Sequence, residues 1–111
     1  MGDELIVLVT VGSADEASLI AESVTRSRLA ACVNIVQGVE SVYFWEGKLM
    51  RDSELLLIMK TTAARYGELE SCIKQQHSYA TPEIIAVKIE AGSAPYLSWI
   101  KQQTSTPQDA G

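Results

Sequence analysis

Leu5 to Val11 is an almost unbroken run of Leu, Ile and Val, the pattern of a central strand buried on both faces. Ser13-Ala14-Asp15-Glu16 then has the capping-box arrangement: a Ser hydroxyl accepts from the third helical amide, and a Glu three residues on reaches back. Ala17, Ile20, Ala21 and Val24 follow at spacings of three and four, with Glu22, Ser23 and Arg26 falling outward. This predicts an amphipathic helix lying on one side of a sheet.

From Cys32 to Trp45 the chain turns β-branched and aromatic. Val33, Ile35, Val39, Tyr43 and Trp45 share one parity, while Val36, Val42 and Phe44 share the other, so both faces of this strand carry apolar groups. Glu46-Gly47-Lys48 supplies a Gly where a tight reversal needs positive φ, and Leu49 to Lys60 is strand-like again, which predicts a long hairpin. Arms of about 14 residues reach about 46 Å at roughly 3.3 Å per residue. A compact chain of this length has a radius of gyration near 13 Å and a diameter of about 34 Å, so the hairpin must bend or project beyond its own subunit.

A second helix fits Ala63 to Gln76, with Tyr66, Leu69, Cys72 and Ile73 on one face. Thr81-Pro82 breaks it, because the residue before a proline is pushed out of the helical region. Ile84 to Ile89 alternates into a last strand, and Ser93 with Pro95 opens a short helix carrying Tyr96, Leu97, Trp99 and Ile100. The expected fold is α+β, a ferredoxin-like βαββαβ sandwich with a long hairpin between its second and third strands and a short C-terminal helix. Residues 1–103 form its single domain, and residues 104–111 read as a disordered tail.

Composition narrows the functional classes. At 111 residues, 47% hydrophobic and 21% charged, the chain suits one core. Its nine Lys and Arg are scattered and the net charge is −5, which argues against a nucleic-acid partner. No apolar stretch approaches the roughly 20 residues of a membrane helix. Met1 to Glu4 carries Asp and Glu rather than a basic leader, so no membrane association and a cytoplasmic location are expected. Cys32 and Cys72 sit in apolar surroundings far apart in the chain and read as reduced packing thiols.

Little in the sequence announces catalysis. There is no Gly-rich phosphate loop, and neither cysteine has a second Cys or His at zinc-ligand spacing. His77 is the only histidine, and no nucleophile signature stands beside it, so no enzyme activity and no required cofactor are expected. His77 either caps the end of the second helix, favourably placed against its dipole, or is the best metal contact in a turn that also holds Tyr79, Thr81 and Glu83. Tyr43, Trp45, Glu54 and Lys60 likewise admit two readings: aromatic interface anchors with a Glu54–Lys60 ion pair, or the walls of a ligand pocket.

Leu29-Ala30-Ala31-Cys32-Val33-Asn34, Ser41-Val42-Tyr43-Phe44-Trp45-Glu46-Gly47-Lys48, Lys60-Thr61, His77-Ser78-Tyr79-Ala80-Thr81-Pro82-Glu83-Ile84 and Tyr96-Leu97-Ser98-Trp99-Ile100 together resemble the CutA family of divalent-cation tolerance proteins. The resemblance runs in order from about Leu5 to Ile100. It implies a non-catalytic subunit similar in build to the PII signalling proteins, assembled as a homotrimer through its long strands. Copper or another divalent cation, or a small ligand, would bind in the cleft between subunits. Trp45, Glu54, Lys60, Tyr79 and Glu83 would line that cleft, with His77 as metal contact. A scaffold or signalling module that binds a protein partner is the alternative. Some bacterial members carry a cysteine near the end of the first strand and a His-His pair. Here Val9 and Thr10 occupy the strand and Gln76 precedes His77, which leaves copper to His77 with oxygen donors or to copies from several subunits.

Overall fold

The computed structural model describes residues 2–105. The order is β1 (Glu4–Val11), α1 (Ala14–Arg26), β2 (Cys32–Trp45), β3 (Lys48–Thr62), α2 (Ala63–Gln76), β4 (Ile84–Lys88) and α3 (Ala94–Gln103). The strands form one sheet in the order β2-β3-β1-β4 with every neighbouring pair antiparallel, the arrangement of a ferredoxin-like fold. Val7, Val9 and Val11 of β1 and Leu57 and Met59 of β3 point one way and are fully buried against Ala17, Ile20 and Val24 of α1 and Leu69 and Ile73 of α2.

The opposite face is less covered than the apolar run of β1 suggests. Ile6 and Leu8 are only half-buried, and their β4 partners Val87 and Ile85 are exposed. The third helix shields one end of this face, with Ile100 fully buried. Ser93 precedes that helix without the expected side-chain cap. Thr104 and Ser105 belong to the folded body, and the Thr104 hydroxyl donates to the Ile100 carbonyl at 2.8 Å. The rest of the expected tail, from residue 106, lies outside the described residues.

The hairpin projects as its length requires. The molecule measures 51 × 27 × 22 Å with a radius of gyration of 14.9 Å, larger than the roughly 13 Å of a compact chain this long. Its turn is the two-residue loop Glu46-Gly47 between the paired Trp45 and Lys48, with φ of 51° and 79°. Positive φ at both central residues matches the twist of the flanking strands. The β2–β3 register then slips by one residue between Val36 and Val39, at Gly38 with φ 77°. A bulge of this kind moves every later side chain to the other face. Val33 and Ile35 therefore oppose Met59 and Leu57 on the helix side, whereas Tyr43 and Trp45 oppose Met50 and Lys48 on the open side. The single parity read from the sequence is split between two faces.

Adjacent residues of α1 offer a test of this layering. Ile20 is fully buried and Leu19 is 59% exposed, so Ile20→Ala should cost about 2–5 kcal/mol while Leu19→Ala stays within about 0.5 kcal/mol. Urea melts of both variants check it, and equal losses would place the core elsewhere.

Candidate functional site

The bulge and the α2–β4 connection build a cavity of about 620 Å³ on the open side of the sheet. The hairpin contributes Ser41, Tyr43, Trp45 and Glu54, β1 contributes Thr10, and the connection contributes Tyr79, Thr81 and Glu83. Trp45, Glu54, Tyr79 and Glu83 thus line one cavity of the single chain.

Lys60 is not among them. It pairs in register with Ile6 and Cys32, and its ammonium donates to the Asn34 side chain. Six residues of extended strand, roughly 20 Å, separate it from Glu54, so the expected Glu54–Lys60 ion pair does not form. Glu54 is instead held by hydroxyls: Ser41 donates to one carboxylate oxygen at 2.5 Å and Tyr79 to the other at 2.7 Å. The carboxylate is only 8% exposed and has no ion pair among the described residues. The hydrogen bond to Glu54, with burial and the Glu54 charge, pushes the Tyr79 phenol far above the ordinary tyrosine range.

His77 is the C-cap of α2, and its backbone N–H donates to the Ile73 carbonyl at 2.9 Å. Its side chain is buried rather than presented to the cavity. Nε2 lies 2.7 Å from the Thr10 carbonyl, and Nδ1 accepts from the Tyr79 N–H at 3.1 Å. A carbonyl oxygen can only accept, so the ring proton sits on Nε2. Both nitrogens are occupied, which leaves the ring no free lone pair for a metal in this arrangement and makes it a clamp between β1 and the Tyr79 loop. Glu16 stands 3.5 Å from Nδ1, beyond good hydrogen-bond distance. Its carboxylate accepts from the Ser78 N–H at 2.7 Å and the Ser78 hydroxyl at 3.2 Å. Ser13 does cap α1, accepting from the Glu16 N–H at 3.1 Å, but Glu16 reaches across to the loop instead of back along its own helix.

Sequence reasoning missed Ser41 and Thr10, whose polar groups face the site only because of the strand register, and Asp52, which accepts from the Tyr43 hydroxyl. Gly38 inside a Val-rich strand was the available signal, since an interior strand glycine often marks a bulge. Gly12 was another. A methyl group there would lie 3.1 Å from the Tyr79 hydroxyl, tight enough to press on the Tyr79–Glu54 bond.

The chain is thus an antiparallel α+β domain with a pocket on the free face of its sheet. Residues 5–103 match the family model described as CutA1 divalent ion tolerance protein, and the chain belongs to that family. It is 45% identical over 101 residues to the divalent-cation tolerance protein CutA of Thermus thermophilus, covering 91% of this chain and 98% of that one. A chloroplastic relative, protein CutA 1 from Oryza sativa, is 45% identical over 90% of this chain, which spans 56% of that protein. The crystal structure of CutA1 from Oryza sativa superposes with a TM-score of 0.91 at 43% identity, covering 94% and 95% of the two chains. The structure from Archaeoglobus fulgidus, TM-score 0.89 at 36% identity over 92% and 99% of the chains, is described as a periplasmic divalent cation tolerance protein, a different compartment from the cytoplasmic one expected here. Among the described residues no helix is long and apolar enough to cross a membrane, and no group of three or more His, Cys, Asp and Glu could hold a metal ion. Cys32 and Cys72 are unpaired thiols.

Two measurements follow from this geometry. His77→Ala strips partners from the Thr10 carbonyl and the Tyr79 N–H, and buried polar groups left unpaired cost about 1–3 kcal/mol. The thermal midpoint should therefore fall, and an unchanged melt would remove the clamp. Tyr79 keeps its proton above the ordinary tyrosine pKa near about 10. A folded-state pKa raised above the unfolded value gives stability that is complete below about pH 10 and is lost as pH rises through the folded value. Tyrosinate absorbance above about pH 10 should increase on adding denaturant, and Tyr79→Phe should shrink that increase. An identical increase in the variant would place the Tyr79 phenol in ordinary solvent.

Proposed function

We propose that this chain is a non-catalytic binding module that works as a homotrimer and takes a divalent cation or other small ligand in the cavity beside Glu54, at the cleft between subunits. The observation that carries this reading is an exposed apolar strip on the same side of the sheet as the cavity, beginning two residues along β1 from Thr10 of its lining. Ile85 and Val87 are 50% and 51% exposed there, in register with Leu8 and Ile6. On the other face of the hairpin Val42, Phe44 and Leu49 stand exposed. Free strand edges and apolar faces of this kind are hazards unless a partner covers them, and a closed cyclic assembly of identical chains covers them all at once. In such an assembly a neighbouring copy closes the mouth of the cavity.

The non-catalytic part of the reading is supported by His77, whose two ring nitrogens are already engaged and so are not free to act as a general base. For a divalent cation the cavity offers oxygen donors from Glu54, Glu83 and the tyrosines, which favour hard ions over copper.

Light scattering and native mass spectrometry test the assembly. The parent should give a species of three times the 12.1 kDa subunit mass, and its melting temperature should rise with protein concentration, because dissociation and unfolding are linked. Val87→Asp, which puts a charge on the apolar face, should shift the mass to the single subunit. A parent that stays near 12.1 kDa at all concentrations overturns the trimer, and a stable mixed complex with another protein would favour the scaffold reading.

A further inference from the structure

We infer that the ligand of this cavity is an organic ammonium ion, an amine cation carrying a small apolar body; this rests on the reading of the cavity as a binding site. The volume is the first indication. About 620 Å³ is room for an organic molecule, within the roughly 300–1,000 Å³ of small-molecule sites, and far more than a bare metal ion fills.

Charge is the second. Glu54 is more than nine-tenths buried, and its partners are two neutral hydroxyls. A buried carboxylate without a counter-charge is costly, and a cation entering the cavity supplies what none of the described residues does. Glu83 adds a second acid, and among the described residues no Lys, Arg or His lines the space, so an anionic ligand would be repelled by both carboxylates.

The walls are the third. Tyr43, Trp45 and Tyr79 bring three aromatic rings to one cavity, and the Tyr43 hydroxyl is tied to Asp52, which holds its ring in place. Aromatic faces attract a weakly hydrated cation through their quadrupoles, more strongly where water is excluded. A metal ion gains less here. It needs several ligand atoms at short range, whereas among the described residues no group of three or more His, Cys, Asp and Glu could hold one and both His77 nitrogens are engaged.

The test uses the full chain and follows its amide and Trp indole N–H resonances by NMR during titration with choline, with its neutral carbon isostere 3,3-dimethylbutan-1-ol, with zinc chloride and with inorganic phosphate. Choline should move the Trp45 indole and the Tyr79 amide at millimolar concentration, and the neutral isostere should bind at least about tenfold more weakly. Glu54→Gln keeps a hydrogen-bonding group of the same shape and should weaken choline by at least about tenfold. Trp45→Leu, at a side chain 56% exposed in the single subunit, should do the same without unfolding the chain, so the inference does not depend on one variant. Equal binding of choline and its isostere, or unchanged affinity in Glu54→Gln, overturns the ammonium assignment. Zinc or phosphate moving the same resonances while choline does not also overturns it, yet leaves the cavity a binding site. If none of the probes moves them, both the inference and the binding-site reading fail.

Discussion

The pairing of β2 with β3 slips by one residue at Gln37-Gly38, and the site depends on that slip. Side chains on a strand alternate between faces, so a one-residue change of register transfers everything beyond it to the opposite side. Without the bulge, Tyr43 and Trp45 would extend the face of Leu57 and Met59 towards the helices. With it they stand on the open face, where Glu54 also lies and where Tyr79 reaches it. Gly38 makes this possible because its φ of 77° lies where a residue with a Cβ is strained.

A second constraint works from the other wall. The Tyr79 loop is tied down at three points: Ser78 to Glu16 of α1, the His77 ring to the Thr10 carbonyl of β1, and the Tyr79 hydroxyl to Glu54 of the hairpin. These bonds join the loop to three elements that are distant from it in sequence. Gly12 leaves the space through which the Tyr79 hydroxyl reaches the carboxylate. The result is an acidic, aromatic pocket whose buried carboxylate is held by two hydroxyls and has no ion-pair partner among the described residues.

Local pattern was a good guide wherever the governing interaction is short in range. The capping Ser13, the helix over Ala63–Gln76, the Glu46-Gly47 turn and the closing Pro95 helix all stand where the sequence placed them, because caps, turns and helical periodicity are decided within a few residues. The excess length of the hairpin was also legible, since it needs only residue count and rise per residue. The partnerships across the fold were not. Glu54 and Lys60 invite an ion pair on paper, but six residues of strand separate them and each bonds elsewhere. Glu16 fits a capping box, yet the nearby Ser78 amide competes for its carboxylate and wins.

By itself the sequence determined the element order, the ferredoxin-like topology, the excess length of the hairpin and the family, because periodicity, turn chemistry and motif order are properties of the chain alone. Only the tertiary structure decided which face Tyr43 and Trp45 occupy, that His77 is a clamp with both nitrogens engaged, and that Glu54 is buried between two hydroxyls. The physical reason is the same in each case. A residue's chemistry is set by what the strand register and the crossing loops bring within about 3 Å of it, and a single backbone slip at Gly38 changes those neighbours without altering the hydrophobic pattern that announced the strand.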